Sequence, residues 1–138
     1  MLIVMSSGKY LLGNMLSALG NKRSFYEIPV RVEYSKLCEG VLKVLKEYCY
    51  IIGYKVIEDG KKKSIDVLLN IDQFGKVFKY FKLLSKPGCR LYYKYDDLKK
   101  MFGYNNFALI IVSTSKGIIS IKEAVKGNIG GEVLCEIM

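Results

Sequence analysis

Three glycine-marked turns within the last 54 residues constrain this chain most. They are Ser85-Lys86-Pro87-Gly88-Cys89-Arg90-Leu91-Tyr92, then Ser113-Thr114-Ser115-Lys116-Gly117, then Ile129-Gly130-Gly131-Glu132-Val133-Leu134-Cys135. Turns this close together leave room only for short strands and short helices between them. Each turn also sits beside small hydroxyls or cations. Glycine lets backbone amides and short donors approach a partner closely, which suits phosphates and base edges. None of the three blocks contains a catalytic set.

The rest of the chain reads as alternating elements. Leu11, Leu12, Met15, Leu16 and Leu19 recur at helical spacing, with Ser7 as a candidate cap and Gly20-Asn21 as a stop. Glu27–Tyr34 alternates and is β-branched, and Pro29 argues for an edge strand. Ser35 caps a second helix whose apolar stripe is Leu37, Val41, Leu42, Leu45 and Tyr48. Tyr50–Glu58 and Ser64–Asp72 form a hairpin turned at Asp59-Gly60, with Lys61, Lys62 and Lys63 at its tip. Beyond it, strands are predicted over Gly75–Leu84, Arg90–Tyr95 and Phe107–Val112. Asp96 caps a helix through Phe102, and Ser120 with Glu123 forms a capping box for one ending at Gly127. Val133, Cys135 and Ile137 alternate in a closing strand. The fold class is therefore α+β in two small lobes. Residues 1–72 form an N-terminal αβαββ lobe, and residues 73–138 a C-terminal, mainly antiparallel β lobe with short helices.

Charge separates the two lobes. The net charge is +9; residues 1–72 hold 11 basic and 8 acidic side chains, and residues 73–138 hold 11 and 5. Between Gln73 and Tyr95 lie six cations (Lys76, Lys79, Lys82, Lys86, Arg90, Lys94) and no acid. That block beside tight turns points to a polyanionic partner. The absence of histidine removes the commonest general base and metal ligand. Cys38, Cys49, Cys89 and Cys135 lack zinc-site spacing and read as small buried hydrophobes in a reducing compartment. No metal, cofactor or small-molecule substrate is expected. No segment has membrane-span character, and neither a signal nor a transit segment is recognisable at the start.

Ser113-x-x-Lys116 also occurs in acyl-transferring serine enzymes, where the serine opens a helix. Here a strand leads in and Gly117 follows at once, so a turn is favoured and catalysis is not. In an RNA-binding reading, the Ser113, Thr114 and Ser115 hydroxyls meet base edges or ribose hydroxyls, and Gly117 lets the backbone approach. Lys86, Pro87 and Gly88 make a turn, followed by Arg90 and Tyr92 on one strand face. Arginine offers phosphate two donors, and tyrosine can stack. Gly127-x-x-Gly130 matches a single-strand clamp only weakly. Glu132 stands out among cations, as a solvated acid, a cap acceptor, an anchor for a lysine, or an acceptor from a base amino group. Lys22, Arg23 and Lys36 lie near element ends and suit phosphate.

These blocks together resemble the small-subunit ribosomal protein eight family, in its bacterial and organellar form, over nearly the whole chain. The carrying residues are Asn14-Met15-Leu16-Ser17, Pro29, Ser35-Lys36-Leu37, Val44-Leu45-Lys46-Glu47 and Tyr50-Ile51. The three C-terminal blocks and Glu123-Ala124 carry more. The resemblance implies a non-enzymatic, two-lobe structural protein that binds the central domain of small-subunit rRNA early in assembly, beside neighbouring ribosomal proteins. It implies RNA contacts at Lys86, Pro87, Gly88, Arg90, Tyr92, Ser113, Thr114, Ser115, Lys116, Gly117, Gly130, Gly131 and Glu132. Secondary contacts would fall at Ser17, Lys22, Arg23 and Lys36.

Departures from the family pattern bear on its setting. Ala18 and Gly20 stand where the family usually carries arginine, Val125 replaces another, and Cys49 replaces a helix-ending glycine. Lysine outnumbers arginine 19 to 3. This drift suits a ribosome in which other proteins compensate for lost RNA contacts. A mitochondrial ribosome, with the protein encoded in the organelle, is the preferred setting, and bacterial cytoplasm is the alternative. The rival readings are an enzyme using Ser113 and Lys116, and an RNA-binding module outside the ribosome.

Overall fold

The computed structural model describes residues 10–21, 29–70, 77–104 and 107–138. It is an α+β structure of four helices and two antiparallel sheets among the described residues. The chain divides into two compact units, Met1–Lys79 and Tyr80–Met138.

In the first unit, α1 (Leu11–Gly20) buries Leu12, Met15, Leu16 and Leu19, the spacing that defines its apolar stripe. Ser7, the expected cap, lies outside the described residues. β1 (Val30–Glu33) starts directly after Pro29, and the expected start at Glu27 is likewise outside them. α2 (Lys36–Glu47) begins where the Ser35 hydroxyl accepts from the Cys38 amide at 3.0 Å. β2 (Ile51–Asp59) and β3 (Lys62–Leu69) complete a sheet ordered β1-β3-β2, so β1 is an edge strand. The tip is narrower than expected. Gly60 and Lys61 make the turn, while Lys62 and Lys63 are already paired in β3. Helix α1 packs on β1, α2 on β2, and the helices on each other. Each large aliphatic side chain sealed there contributes about 1.5–3 kcal/mol.

α2 ends in a left-handed residue that is not glycine. Cys49 has φ +64°, its amide bonds to the Lys46 carbonyl, and the Tyr50 amide bonds to the Leu45 carbonyl. This is a complete Schellman cap. It places a side chain where glycine is favoured, and so explains why Cys49 is exposed instead of buried as expected. Cys89 is exposed too, in a turn; Cys38 and Cys135 are buried. Burial pushes the Cys135 thiol up to about 12 and raises the Cys38 thiol.

The second unit contains β4 (Phe81–Leu83), β5 (Tyr92–Tyr93), α3 (Tyr95–Tyr104), β6 (Leu109–Thr114), β7 (Gly117–Ser120), α4 (Ile121–Lys126) and β8 (Gly131–Ile137). The sheet order is β4-β8-β6-β7, and β5 also pairs with β8. Leu98, Ile110, Val112, Ile121, Ala124 and Val133 form its core.

Several expected boundaries move here. Only Phe81–Leu83 of the strand expected over Gly75–Leu84 is a strand, and residues 71–76 are outside the described set. Arg90–Tyr95 yields only Tyr92–Tyr93, because the Leu91 amide bonds to the Ser85 side chain and Tyr95 already opens α3. Asp96 sits inside the first turn of α3 instead of capping it; the Leu98 amide bonds to the Lys94 carbonyl. β6 is shifted toward the C-terminus, leaving Phe107 85% exposed. Ser120 caps α4 as expected, accepting from the Glu123 amide at 3.3 Å.

The expected alternation of Val133, Cys135 and Ile137 fails at Leu134. Ile111 pairs with Cys135 but Val112 with Val133, so Leu134 is a β-bulge. The slip turns Val133 to the opposite face from Cys135 and puts Glu132 on the face of Cys135.

Candidate nucleic-acid interface

β8 lies between β5 and β6. Glu132 pairs with Tyr92 on one side and with Ser113 on the other. Residues directly opposite one another share a sheet face, and strands lie about 4.8 Å apart. Tyr92, Glu132 and Ser113 therefore stand in one row, with its outer members about 10 Å apart. Ile118 extends the row on β7. The bulge at Leu134 makes this possible, since without it Glu132 would face away from Cys135. All three sequence blocks thus meet at one end of one sheet.

The Lys-Pro-Gly segment is a tight, anchored turn. The Cys89 amide bonds to the Lys86 carbonyl at 2.9 Å, and the Lys86 amide returns to the Cys89 carbonyl at 3.0 Å. Gly88 has φ +84°, the value a type II turn demands after proline. The base is held by Ser85, which is 1% exposed. Its hydroxyl accepts from the Leu91 amide at 2.9 Å, and the Leu84 and Ser85 amides both bond to the carbonyl of the bulged Leu134. The sequence reading gave Ser85 no role. The available signal was a hydroxyl immediately before a Pro-Gly turn, a common side-chain-to-backbone anchor.

The hydroxyl segment is a two-residue hairpin turn, shorter than expected. Ser113 and Thr114 belong to β6, Gly117 opens β7, and Ser115-Lys116 forms the turn. Gly117 has φ +109°. The Thr114 hydroxyl donates to the Gly117 carbonyl at 2.8 Å and accepts from the Lys116 amide at 3.1 Å. Its donor is therefore spent inside the turn. Among the described residues, no hydrogen bond engages the hydroxyl of Ser113 or Ser115. Ser115 and Lys116 are exposed, and Ser113 is half-buried.

Glu132 is neither a solvated acid nor a lysine anchor. It is buried at 8% exposure, and the half-exposed Arg90 donates to it, Nη1 to Oε2, at 3.4 Å. Tyr92 is 71% exposed. Gly130 and Gly131 have an internal reason to be glycine. A Cβ at Gly130 would stand 2.6 Å from the Tyr93 carbonyl oxygen, and one at Gly131 would stand 2.3 Å from that of Ser113. These two positions bring β5 and β6 against β8 at the row itself.

Lys86, Lys94 and Lys116 are exposed on the segments that border the row, whereas Lys82 pairs with Glu136 and Lys122 and Lys126 lie on α4, which packs against the opposite sheet face with Ile110, Val112 and Val133. In the first unit, Ser17 and Ala18 are exposed on α1, and Lys36 is exposed at the first position of α2. Lys22 and Arg23 lie outside the described residues. Among the described residues, no group of three or more His, Cys, Asp or Glu could hold a metal ion. No described helix is long and apolar enough to cross a membrane. Ser113 sits on a strand and Lys116 in a turn, which is not the helical spacing that Ser-x-x-Lys chemistry uses.

Comparison with known proteins adds a family. Residues 11–138 match Ribosomal protein S8. The small ribosomal subunit protein uS8 of Nitratiruptor sp. is 44% identical over 108 residues, covering 75% of this chain and 79% of that protein. The uS8 of Campylobacter fetus is 45% identical over 105 residues, covering 75% and 79%. The uS8 of Bacteroides thetaiotaomicron is 38% identical over 128 residues, covering 91% and 93%.

Proposed function

The chain belongs to the ribosomal protein S8 family of structural, non-enzymatic small-subunit proteins, and from that premise we propose that its second unit binds the central domain of small-subunit rRNA during assembly. The family binds small-subunit rRNA and other ribosomal proteins. The observation that supports this reading best is the row Tyr92–Glu132–Ser113, which joins all three blocks on one sheet face. Ser113 and Ser115 offer hydroxyls to an irregular stem, where base edges and ribose hydroxyls are reachable; a regular A-form groove hides them. Lys86, Arg90, Lys116 and the backbone at Gly88 and Gly117 take phosphate, and Tyr92 stacks. Gly130 and Gly131 serve by holding the strands together. Ser17, Lys22, Arg23 and Lys36 form a secondary contact of mainly electrostatic character.

We assign the setting to a mitochondrial ribosome, on the lysine-rich composition and on the neutral Ala18, Gly20 and Val125. The bacterial sources of the relatives favour the second reading, a bacterial ribosome. Native-gradient fractionation of the source cells tests both. Stoichiometric migration with small subunits is expected, from purified mitochondria under the first reading. Migration apart from all ribosomal particles would reject the ribosomal role.

A further inference from the structure

An acid buried at the centre of a basic docking face is the feature that RNA binding through phosphate does not explain. Glu132 lies between Tyr92 and Ser113 in the row, and its Oε2 holds the Arg90 guanidinium at 3.4 Å. Arg90 alone could swing freely, since about half of its side chain is exposed. Among the described residues, the Arg90 donation is the only hydrogen bond to the Glu132 carboxylate.

We propose that Glu132 is the selectivity residue of this face: it positions Arg90 at the rim and keeps phosphate out of the centre. The inference rests on the reading of the face as an RNA interface. A carboxylate repels phosphate oxygens but accepts from amino groups and ribose hydroxyls. The Glu132 side chain closes the spot between Tyr92 and Ser113 to a regular duplex backbone. The spot stays open to an irregular stem that turns uncharged donors toward it. Arg90, held by Glu132, keeps one edge of its planar fork for a phosphate at the rim. Without that hold, Arg90 becomes one more mobile cation that any polyanion can use.

The test compares the whole protein with Glu132→Gln on two RNAs, a central-domain stem with an irregular internal loop and a fully paired duplex of equal length. Binding is measured by fluorescence anisotropy from 50 to 200 mM salt. Glutamine keeps the shape and a carbonyl acceptor for Arg90 while removing the charge. The expected result is tighter duplex binding with little change on the stem, so that the stem-to-duplex ratio falls on the order of fivefold. The log–log salt slope on the duplex should steepen by about one unit, because the Arg90 charge is no longer offset by a carboxylate and a phosphate can enter the centre of the face. A merely structural role would weaken both RNAs together and leave the slope alone, and that outcome overturns the proposal. Arg90→Ala provides a second route should the glutamine variant fail to fold. It removes the rim phosphate contact from both RNAs and in addition leaves the Glu132 charge unopposed against a duplex backbone, so duplex binding should fall more than stem binding; equal losses overturn the proposal as well. If the unmodified protein shows no preference for the stem, it is the RNA-interface reading that fails instead.

Discussion

The two long hairpins of this molecule show how the same element is put to different ends. In β2–β3 the turn is Gly60-Lys61, and the flanking charges are opposed across the strands: Glu58 faces Lys63 and Asp59 faces Lys62. Lys63 meets Glu58 at 3.2 Å and lies 4.8 Å from the centre of the Tyr34 ring. Further down, Arg31 clasps Asp66 with two bonds, at 2.8 and 3.1 Å. The sheet that holds this hairpin thus sets acids opposite several of its cations. In β6–β7 the turn is Ser115-Lys116, no acid stands in either strand, and the one threonine hydroxyl closes the turn from inside. Among the described residues, this hairpin leaves its cation without an acid opposite and the Ser113 and Ser115 hydroxyls without a hydrogen bond. The first hairpin carries three consecutive lysines, Lys61, Lys62 and Lys63, but lysine count alone says little about polyanion binding. What matters is whether the register supplies acids opposite.

Glycine substitution tests the contrast most severely. Gly131→Ala drives a Cβ to 2.3 Å from the Ser113 carbonyl oxygen, where two backbones must separate. We expect a loss of about 3 kcal/mol or more in urea unfolding, with stem binding lost as the row opens. Gly60→Ala meets nothing within 4 Å and bears only its φ of +63°, so about 1–2 kcal/mol is expected there, with RNA binding unchanged. Equal losses at the two sites would remove the structural distinction. Ser115→Ala comes next. Its exposed hydroxyl should be worth roughly 1–3 kcal/mol on the irregular stem if it reads a base edge, with no loss of stability. Lys61→Ala in the other hairpin should cost the stem nothing measurable. An anisotropy titration in which the two variants behave alike would show that the hydroxyl turn is not the reading element.

Much of this was legible in the sequence where a local signal fixed the backbone. Ser35 and Ser120 announced their helices, the periodic leucines gave α1 and α2, and Pro87-Gly88 gave its turn. The glycine expected at the end of α2 was recognised as missing at Cys49, whose φ of +64° shows the chain keeping the conformation without the residue. What stayed hidden was non-local. The bulge at Leu134 depends on two other strands and on the Leu84 and Ser85 amides, and no periodicity in β8 reports it. Ser85 and Glu132 were visible as residues but not as an anchor and a buried pair, because each role is defined by a partner 6 and 42 positions away. Gly130 and Gly131 looked like a close-approach loop. The approach is real, but it is made by the protein's own carbonyls.

Thr114 sharpens the comparison at smaller scale. Thr114→Val keeps the β-branched shape and deletes both hydroxyl bonds, to the Gly117 carbonyl and from the Lys116 amide. Each such bond is worth about 1 kcal/mol net at most at an exposed site, so a stability loss near 1 kcal/mol is expected. The Lys116 amide should exchange with solvent markedly faster, and stem binding should weaken because Ser115 and Lys116 are less well held. Thr114→Ser should restore both. If valine instead abolishes binding without changing Lys116 amide exchange, the hydroxyl contacts RNA directly and the hairpin carries three reading groups, not two.

The smallest effect belongs to the β1–β3 pair of the first sheet and depends on pH. The hydrogen bond from Arg31 holds the Asp66 carboxyl below its ordinary 3.8, aided by the charges of Arg31 and Lys55 and opposed by partial desolvation. A carboxylate depressed in the folded state stays ionised there while the unfolded chain takes up protons. Its contribution is therefore complete above about pH 5, begins to fade below the unfolded value, and is gone once pH falls through the folded value. The pair is solvent-exposed and screened, so its share is small. Urea midpoints for the unmodified protein and Asp66→Asn should differ slightly and by a constant amount above pH 5, and converge as pH drops below 4. The same difference should shrink with added salt. No convergence, or a difference that widens in acid, would mean that Asp66 is not the group Arg31 neutralises. The electrostatic division between the two hairpins would then rest on the cross-strand lysines alone.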